Sequence, residues 1–541
     1  MSGTRRGQAA VAVGVVALIA GLSSAVAAPA GADRRAGVPD AAKPKSGGSV
    51  NFGLEAETTG GFCIPDATLA ASGLQVVAAI YDTLTVLNAK GEYVPYLAKS
   101  FEPNADFTQW TITVRPGVQF HDGTPFDAAA LKLNLDTYRG ANPNLVPRLN
   151  VFNFRNIASV EVAGPDSVVV TTKVPWVAFP AYWSDRRAMV APAQLADKGT
   201  CATNMIGTGP FALDEWRQNE SLTVKKNKNY WRKGLPYLDE IVFRPVTDPQ
   251  SRLNGLQGGD LDLITTSSAL SISDLKEKAA AGEVNVLVSD KGAETLYQML
   301  NLTKPPFDDP IARQAVAAAA DIPLLNEIRN KGLNTISTGP FPPDSPAHLA
   351  KSPVVHNLAK AKKLNKQYEQ AHGAPISFEY LTVQQPETVA IAEITKEQMA
   401  AAGIEVTIRT VDQPTLIAEA LGGRFEAMSF RFHPGGDPDT QYVYWHSGSP
   451  VNFNRINDPE IDRLLDAGRS EPDPAKRVAI YRDLNKRFGT ELYDIWAWYT
   501  LWAVGFQTNV KGVTGPPLPD GGGRPFPLFA GVVPVAGISK G

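Results

Sequence analysis

The residues of this chain whose types and spacing could do chemistry are His121 beside Asp122, the carboxylates Asp437 and Asp439, the cation Arg431, and the aromatic run Trp496, Trp498 and Tyr499. A histidine next to an aspartate has the makings of an acid–base pair. His121-Asp122-Gly123 has equally the makings of a turn, because the Asp side chain can bond its own backbone and the glycine supplies conformational freedom. The triplet follows a predicted strand, which favours the turn. The chain carries no His-Glu-x-x-His, no Gly-x-Ser-x-Gly and no glycine-rich loop ending in Lys-Ser or Lys-Thr, so the motifs of hydrolysis and phosphate chemistry are missing. Its six histidines, at positions 121, 348, 356, 372, 433 and 446, lack metal-ligand spacing, and neither a metal nor another cofactor is expected. The chemistry left is binding without a covalent step.

The stretch 429–442 ends a predicted strand and is full of turn formers, the composition of a loop that lines a cleft. Within it, Arg431 could grip a carboxylate with two guanidinium nitrogens or pair with a neighbouring acid. Asp437 and Asp439 could face a cationic ligand group or cap turns. Trp445 stands just beyond the loop and joins the candidates. Trp496, Trp498 and Tyr499, with Trp502 after them, would give a ligand broad, rigid walls. The alternative is that they pack the core of a crossing strand, whose successive residues face opposite sides. As alternate residues of that strand, Trp496 and Trp498 are expected on one face.

These residues need a scaffold. A chain of 541 residues exceeds what one hydrophobic core supports, so at least two lobes are expected. Hydrophobic residues make up 43% and charged residues 20%, an ordinary globular balance, and a net charge of −3 gives no attraction for nucleic acid. The N-terminus reads as an export signal: Arg5 and Arg6 precede an apolar run over 9–22, and Ala25-Val26-Ala27 forms a small-residue cleavage site. Residues 1–27 are expected as a signal peptide and 28–47 as a flexible leader of Ala, Pro and Gly. No cysteine near the cleavage site offers a lipid anchor, so the mature protein is expected to be secreted or periplasmic. In that oxidising space an even cysteine count favours a disulfide between Cys63 and Cys201, with two separate buried thiols as the alternative.

Beyond the leader, Ser49–Leu54 alternates like a strand, and helices are expected over 73–87 and 127–138. Strands follow at 110–114, 168–172, 376–381, 404–410 and 427–432. Asp-Pro pairs at 309–310, 458–459 and 473–474 announce helices, with Asp as N-cap and Pro in the first turn, where its missing N–H has no partner to lose. A helix over 387–402 is stopped by Gly403. Strands alternating with helices predict a sheet covered by helices, the α/β class. The last segment, 520–541, is rich in Gly and Pro and is expected to be loosely ordered.

A series of short motifs runs through this frame: Tyr81-Asp82-Thr83-Leu84, Val94-Pro95-Tyr96-Leu97-Ala98, the run 111–126, Gly207-Thr208-Gly209-Pro210-Phe211, Tyr230-Trp231 after Lys226, Gly259-Asp260-Leu261-Asp262, the run 301–310, and Asn457-Asp458-Pro459-Glu460-Ile461-Asp462. In this order and spacing they resemble the extracellular family 5 solute-binding proteins of ABC importers, the peptide/nickel-binding group. The similarity covers about 48–512. It implies a two-lobed periplasmic-binding-protein-like fold (type II, cluster C) with an extra subdomain in the first lobe. By analogy lobe I is built from 48–78, 206–296 and 497–525, the inserted subdomain from 79–205 and lobe II from 297–496, with a Gly/Pro-rich tail over 526–541. On that layout Cys63 and Cys201 both lie near segment junctions.

The resemblance also implies a function. Such a protein captures a peptide or other small organic solute by lobe closure, performs no reaction on it, and delivers it as a monomer to an ABC permease and its ATPases. In the resembling dipeptide- and oligopeptide-binding proteins an Asp at the corresponding strand end pairs with the peptide ammonium. Aligning on Asp437-Pro438 puts Pro434 at that position, and a proline carries no counter-charge. Solutes other than free peptides therefore gain weight. The competing classes are a secreted binder that serves a sensor, and a hydrolase, which the missing motifs count against.

Overall fold

The computed structural model describes residues 44–541 apart from 59, 185, 352–354, 433 and 434. The signal peptide, most of the leader and Pro434 lie outside the described residues. Two large mixed sheets carry the fold. The first has seven strands in the order Val284–Ser289, Trp502–Gln507, Leu263–Thr266, Ser49–Leu54, Glu240–Pro245, Ser221–Lys226 and Phe211–Arg217. Ser49–Leu54 pairs in parallel with both neighbours, and Val50, Phe52 and Leu54 are buried, as a central strand covered by helices requires. The second sheet has six strands, in the order Thr335–Ile336, Asp494–Tyr499, Thr295–Leu300, Ala427–Phe432, Ser377–Val383 and Glu405–Val411. A third sheet of four antiparallel strands joins Ala98–Pro103, Gln109–Val114, Ser167–Thr172 and Ile157–Gly164, and helix Ala128–Tyr138 shares its core.

Every strand of the second sheet comes from 295–499, whereas the first sheet draws on sequence before and after it. The chain therefore crosses between the two sheets twice, over 290–294 and over 500–501. The crossings lie side by side, since the Thr500 N–H donates to the Glu294 carbonyl at 2.7 Å. No helix among the described residues is long and apolar enough to cross a membrane.

The helix signals translate directly. Asp309, Asp458 and Asp473 each cap a helix through the side chain, with proline in the first turn, and Asp127 caps Ala128–Tyr138. The helix expected over 73–87 is shorter: it spans Ala71–Ile80, and Thr85–Leu87 instead pairs with Tyr93–Pro95. The Ile80 carbonyl is taken by the Gly209 N–H, and the β-branched Thr83, Thr85 and Val86 favour extended backbone. The expectation of a loosely ordered end is corrected as well. Leu528, Val533, Val535 and Ile538 are buried, and Ser539–Lys540 pairs with Val510–Lys511. The aliphatic side chains between the glycines and prolines have a core to enter, which composition alone does not reveal.

Cys63 and Cys201 form a disulfide that closes a loop of 138 residues. Chain-entropy models give such a closure up to about 5 kcal/mol. Replacing both cysteines by alanine is expected to lower the unfolding free energy by about 2–5 kcal/mol, read from a urea titration. An unchanged midpoint would contradict this.

Candidate functional site

Helix Ala71–Ile80 ends against a glycine turn. The Gly209 N–H reaches the Ile80 carbonyl at 2.9 Å, and a Cβ at Gly207 or Gly209 would collide with that carbonyl group, so only glycines allow the approach. His121 buttresses the turn. Its Nδ1 accepts from the Gly207 N–H at 3.3 Å and its Nε2 lies 3.0 Å from the Gly209 carbonyl, the bonding of a neutral ring, and burial lowers its pKa. Asp122 accepts from the Thr124 N–H, and Gly123 has φ 84°. The His-Asp pair is thus a turn that positions a second turn.

That second turn delivers the Thr208 hydroxyl to Asp82 at 3.2 Å. The Trp231 indole donates to the same carboxylate at 2.9 Å and the Tyr230 hydroxyl at 3.3 Å. Three sequence motifs therefore converge on one buried acid. Burial pushes the Asp82 carboxyl up to about 6, against the lowering effect of these hydrogen bonds and of the Arg232 charge.

Asp82 borders a cavity of about 230 Å³, a little below the ~300–1,000 Å³ usual for small-molecule pockets. Its walls come from 74–96, 181–187, 435–444 and 516–536, with single residues from 210–232. At its polar side stands Arg187, whose guanidinium makes no hydrogen bond or ion pair with any described residue. The group lies across the rings of Tyr182 and Phe154, at 5.4 and 5.5 Å, with its Nε buried and unbonded. Arg232 differs, since it donates to the Tyr96 hydroxyl at 3.2 Å and to the Pro517 carbonyl. Among the described residues, no group of three or more His, Cys, Asp or Glu is placed to hold a metal ion.

None of the candidates named from sequence lines this cavity. Arg431 pairs with Glu294 at 3.4 Å. Asp437 takes two bonds from Arg477, at 2.6 and 2.8 Å, and caps a turn by accepting from the Asp439 N–H. Asp439 is fully buried, holding Arg469 at 3.0 and 3.2 Å, the Trp176 indole at 2.8 Å and the Tyr481 hydroxyl at 3.4 Å. Trp445 packs on Phe488 and Phe341, and the Tyr499 hydroxyl donates to the Phe341 carbonyl at 2.7 Å.

The expectation that Trp496 and Trp498 share a face is corrected by a β-bulge. Trp498 lies opposite Leu296 and Trp496 opposite Tyr297, so the extra residue Ala497 turns the two indoles to opposite sides of the sheet and into different cores. The loop 429–442 contributes to the cavity through Gly435, Gly436, Thr440 and Gln441 instead. Arg186, Arg187 and the segment 526–536 carried no recognisable motif. The one signal that could have found them was the pair of adjacent arginines itself.

The chain matches the family model of bacterial extracellular solute-binding proteins, family 5 Middle, over residues 92–454. The glutathione-binding protein GsiB of Salmonella paratyphi A is 31% identical over 427 residues, spanning 75% of this chain and 81% of that protein. Among solved structures, AgaA of A. tumefaciens R10 in complex with agropinic acid superposes with a TM-score of 0.80 at 25% identity, covering 91% of this chain and 99% of that one. The ABC transporter-associated periplasmic binding protein DppA of Helicobacter pylori, in complex with the peptide STSA, also gives 0.80, at 21% identity over 92% and 98% of the two chains.

Two outcomes follow from the buried acids. Asp82 is held at about 6 in the fold against an ordinary 3.8. Its contribution to stability is therefore complete below about pH 4 and is lost as the pH rises through about 6. Asp82→Asn is neutral throughout, so the stability difference, wild type minus variant, is expected to fall over that window in urea unfolding at stepped pH; parallel profiles would refute the assignment. Asp439→Ala leaves Arg469 buried without its partner and is expected to destabilise by about 3–5 kcal/mol, measured the same way at neutral pH.

Proposed function

This chain belongs to family 5 of the bacterial extracellular solute-binding proteins, substrate-binding components of ABC importers, and from that premise we propose that it captures a small organic anion in the cavity beside Arg187. The observation that carries the proposal is the Arg187 guanidinium, a cation at a cavity wall with no carboxylate bonded to it among the described residues. Arg187 is half-buried, with its Nε shut away from water and unbonded, and a ligand carboxylate would engage the guanidinium through two parallel charge-assisted hydrogen bonds. Asp82 is the opposite case, because protein donors already surround it. Pro434, where peptide-binding relatives would have an acid for an ammonium group, fits a ligand held by its negative end. AgaA, solved with an acid, and GsiB, named for glutathione, are consistent with this class.

Capture proceeds by closure of two lobes. Lobe I comprises 48–78, 206–296 and 497–525 with its inserted subdomain 79–205, and lobe II comprises 297–496; the division of strands between the first and second sheets supports this layout. The crossings at 290–294 and 500–501 absorb the rotation. Residues 1–27 direct export, and the loaded protein then presents its solute to a membrane permease. No covalent step belongs to this cycle.

Calorimetry of the full chain against agropinic acid, mannopinic acid, glutathione and short peptides, each beside its carboxamide, tests the proposal. At least one acid is expected to bind and its amide to bind far less. Arg187→Ala is expected to weaken the acid by about 10- to 100-fold, with Arg187→Lys intermediate. Equal binding of acid and amide, or an Arg187→Ala variant with unchanged affinity, would remove the basis for it.

A further inference from the structure

We infer that the C-terminal segment 526–536 is the specificity-determining wall of the cavity and that it receives a compact apolar group of the ligand, an inference that rests on the anion reading above. The segment lies beyond the residues matched by the family model, which end at 454. It is built as a rigid element despite its glycines and prolines. The Gln75 side chain clamps Val533 from both sides, donating to its carbonyl at 3.1 Å and accepting from its N–H at 2.9 Å, within the buried interior. Phe529 and Val532 exchange two backbone hydrogen bonds of 3.0 Å around Ala530 and Gly531, both with positive φ, the geometry of a tight hairpin turn.

The faces of this hairpin differ. Leu528 and Ile538 are buried, while Phe526, Phe529, Val532 and Pro534 are only half-buried and line the cavity. Half-exposed apolar side chains on a cavity wall gain most when an apolar group covers them. The turn also rests on the first chain crossing and on the strand residue just past the second: a Cβ at Gly292 would enter the Phe529 ring, and one at Gly531 would meet the Trp502 ring. A ligand group seated on the hairpin thus lies one side chain away from the segments that would rotate on closure.

The ligand class that matches is an organic anion with its charge at Arg187 and a short aliphatic or aromatic body against 526–536. The test is calorimetry of the full chain with straight-chain carboxylates from acetate to octanoate. Affinity is expected to rise about fourfold per methylene, the transfer value for a buried CH₂, until the cavity is full. Val532→Thr, which keeps the shape, and Phe526→Gln are expected to flatten that rise, whereas Arg187→Ala lowers every member by the same factor and leaves the rise intact. A flat series that still weakens in Arg187→Ala overturns the apolar inference and spares the anion reading. A rise untouched by both hairpin variants overturns the assignment of the wall. A series of which no member binds overturns the apolar inference, and the anion reading falls with it only where no acid of the panel above binds either.

Discussion

Withdrawing a carboxylate from water costs several kcal/mol unless donors replace its hydration. At Asp439 that replacement comes from two Arg469 nitrogens, the Trp176 indole and the Tyr481 hydroxyl, with the Tyr182 hydroxyl bonded to the Asp439 carbonyl. The donors come from distant parts of the chain. Arg469 and Tyr481 stand on helices Pro459–Ser470 and Pro474–Glu491, and Trp176 and Tyr182 on the segment after the four-stranded sheet. The consequence is geometric. A few residues past Tyr182 the chain reaches Arg186 and Arg187, and immediately past Asp439 it reaches Thr440, Gln441 and Tyr444, all of which line the cavity. One buried ion pair therefore fixes the spacing between two of its walls.

The crossings between sheets carry the second such arrangement. Glu294 sits at the end of one crossing, buried so that its pKa is raised, and Arg431 supplies its counter-charge at 3.4 Å while lying 5.9 Å from the ring of Trp502, the strand residue just past the other. Asp344 accepts from the Gly292 N–H at 3.0 Å. Both crossings are thus held from the side of the second sheet by charge and from the C-terminal hairpin by packing. A rotation about them has to loosen contacts on both sides together, which favours discrete states over a continuous drift.

How much of this was legible in the sequence divides along the reach of each interaction. The α/β class, the strands and the Asp-capped helices were readable because capping and alternation act over three or four residues, and the family motifs fixed the wider plan. The Cys63–Cys201 pairing was open until the residues stood together. The face of Trp496 was not readable, since one inserted residue at Ala497 reverses it and an aromatic spacing of two looks the same with or without a bulge. Nor was the cavity, whose walls are up to several hundred residues apart; the clamp of Gln75 on Val533 spans 458. Composition misjudged the tail because glycine and proline describe its turns, while its order comes from the aliphatic side chains between them.

The contrast between Asp82 and Arg187 suggests why the site is arranged as it is. A binding protein must be stable when empty and still gain from its ligand, so its charges cannot all be satisfied within the fold. Here the acids are: Asp82, Asp437, Asp439 and Glu294 each have protein donors. The Arg187 guanidinium is left against aromatic faces, which soften its desolvation without supplying an acceptor. The partner ring at 5.4 Å is that of Tyr182, whose hydroxyl receives Arg469 at 3.0 Å and donates to the Asp439 carbonyl. An anion that draws Arg187 away from Tyr182 would thereby act on the same ion pair that spaces the cavity walls. On the proposed function, recognition of charge and adjustment of the walls then belong to one connected group of side chains.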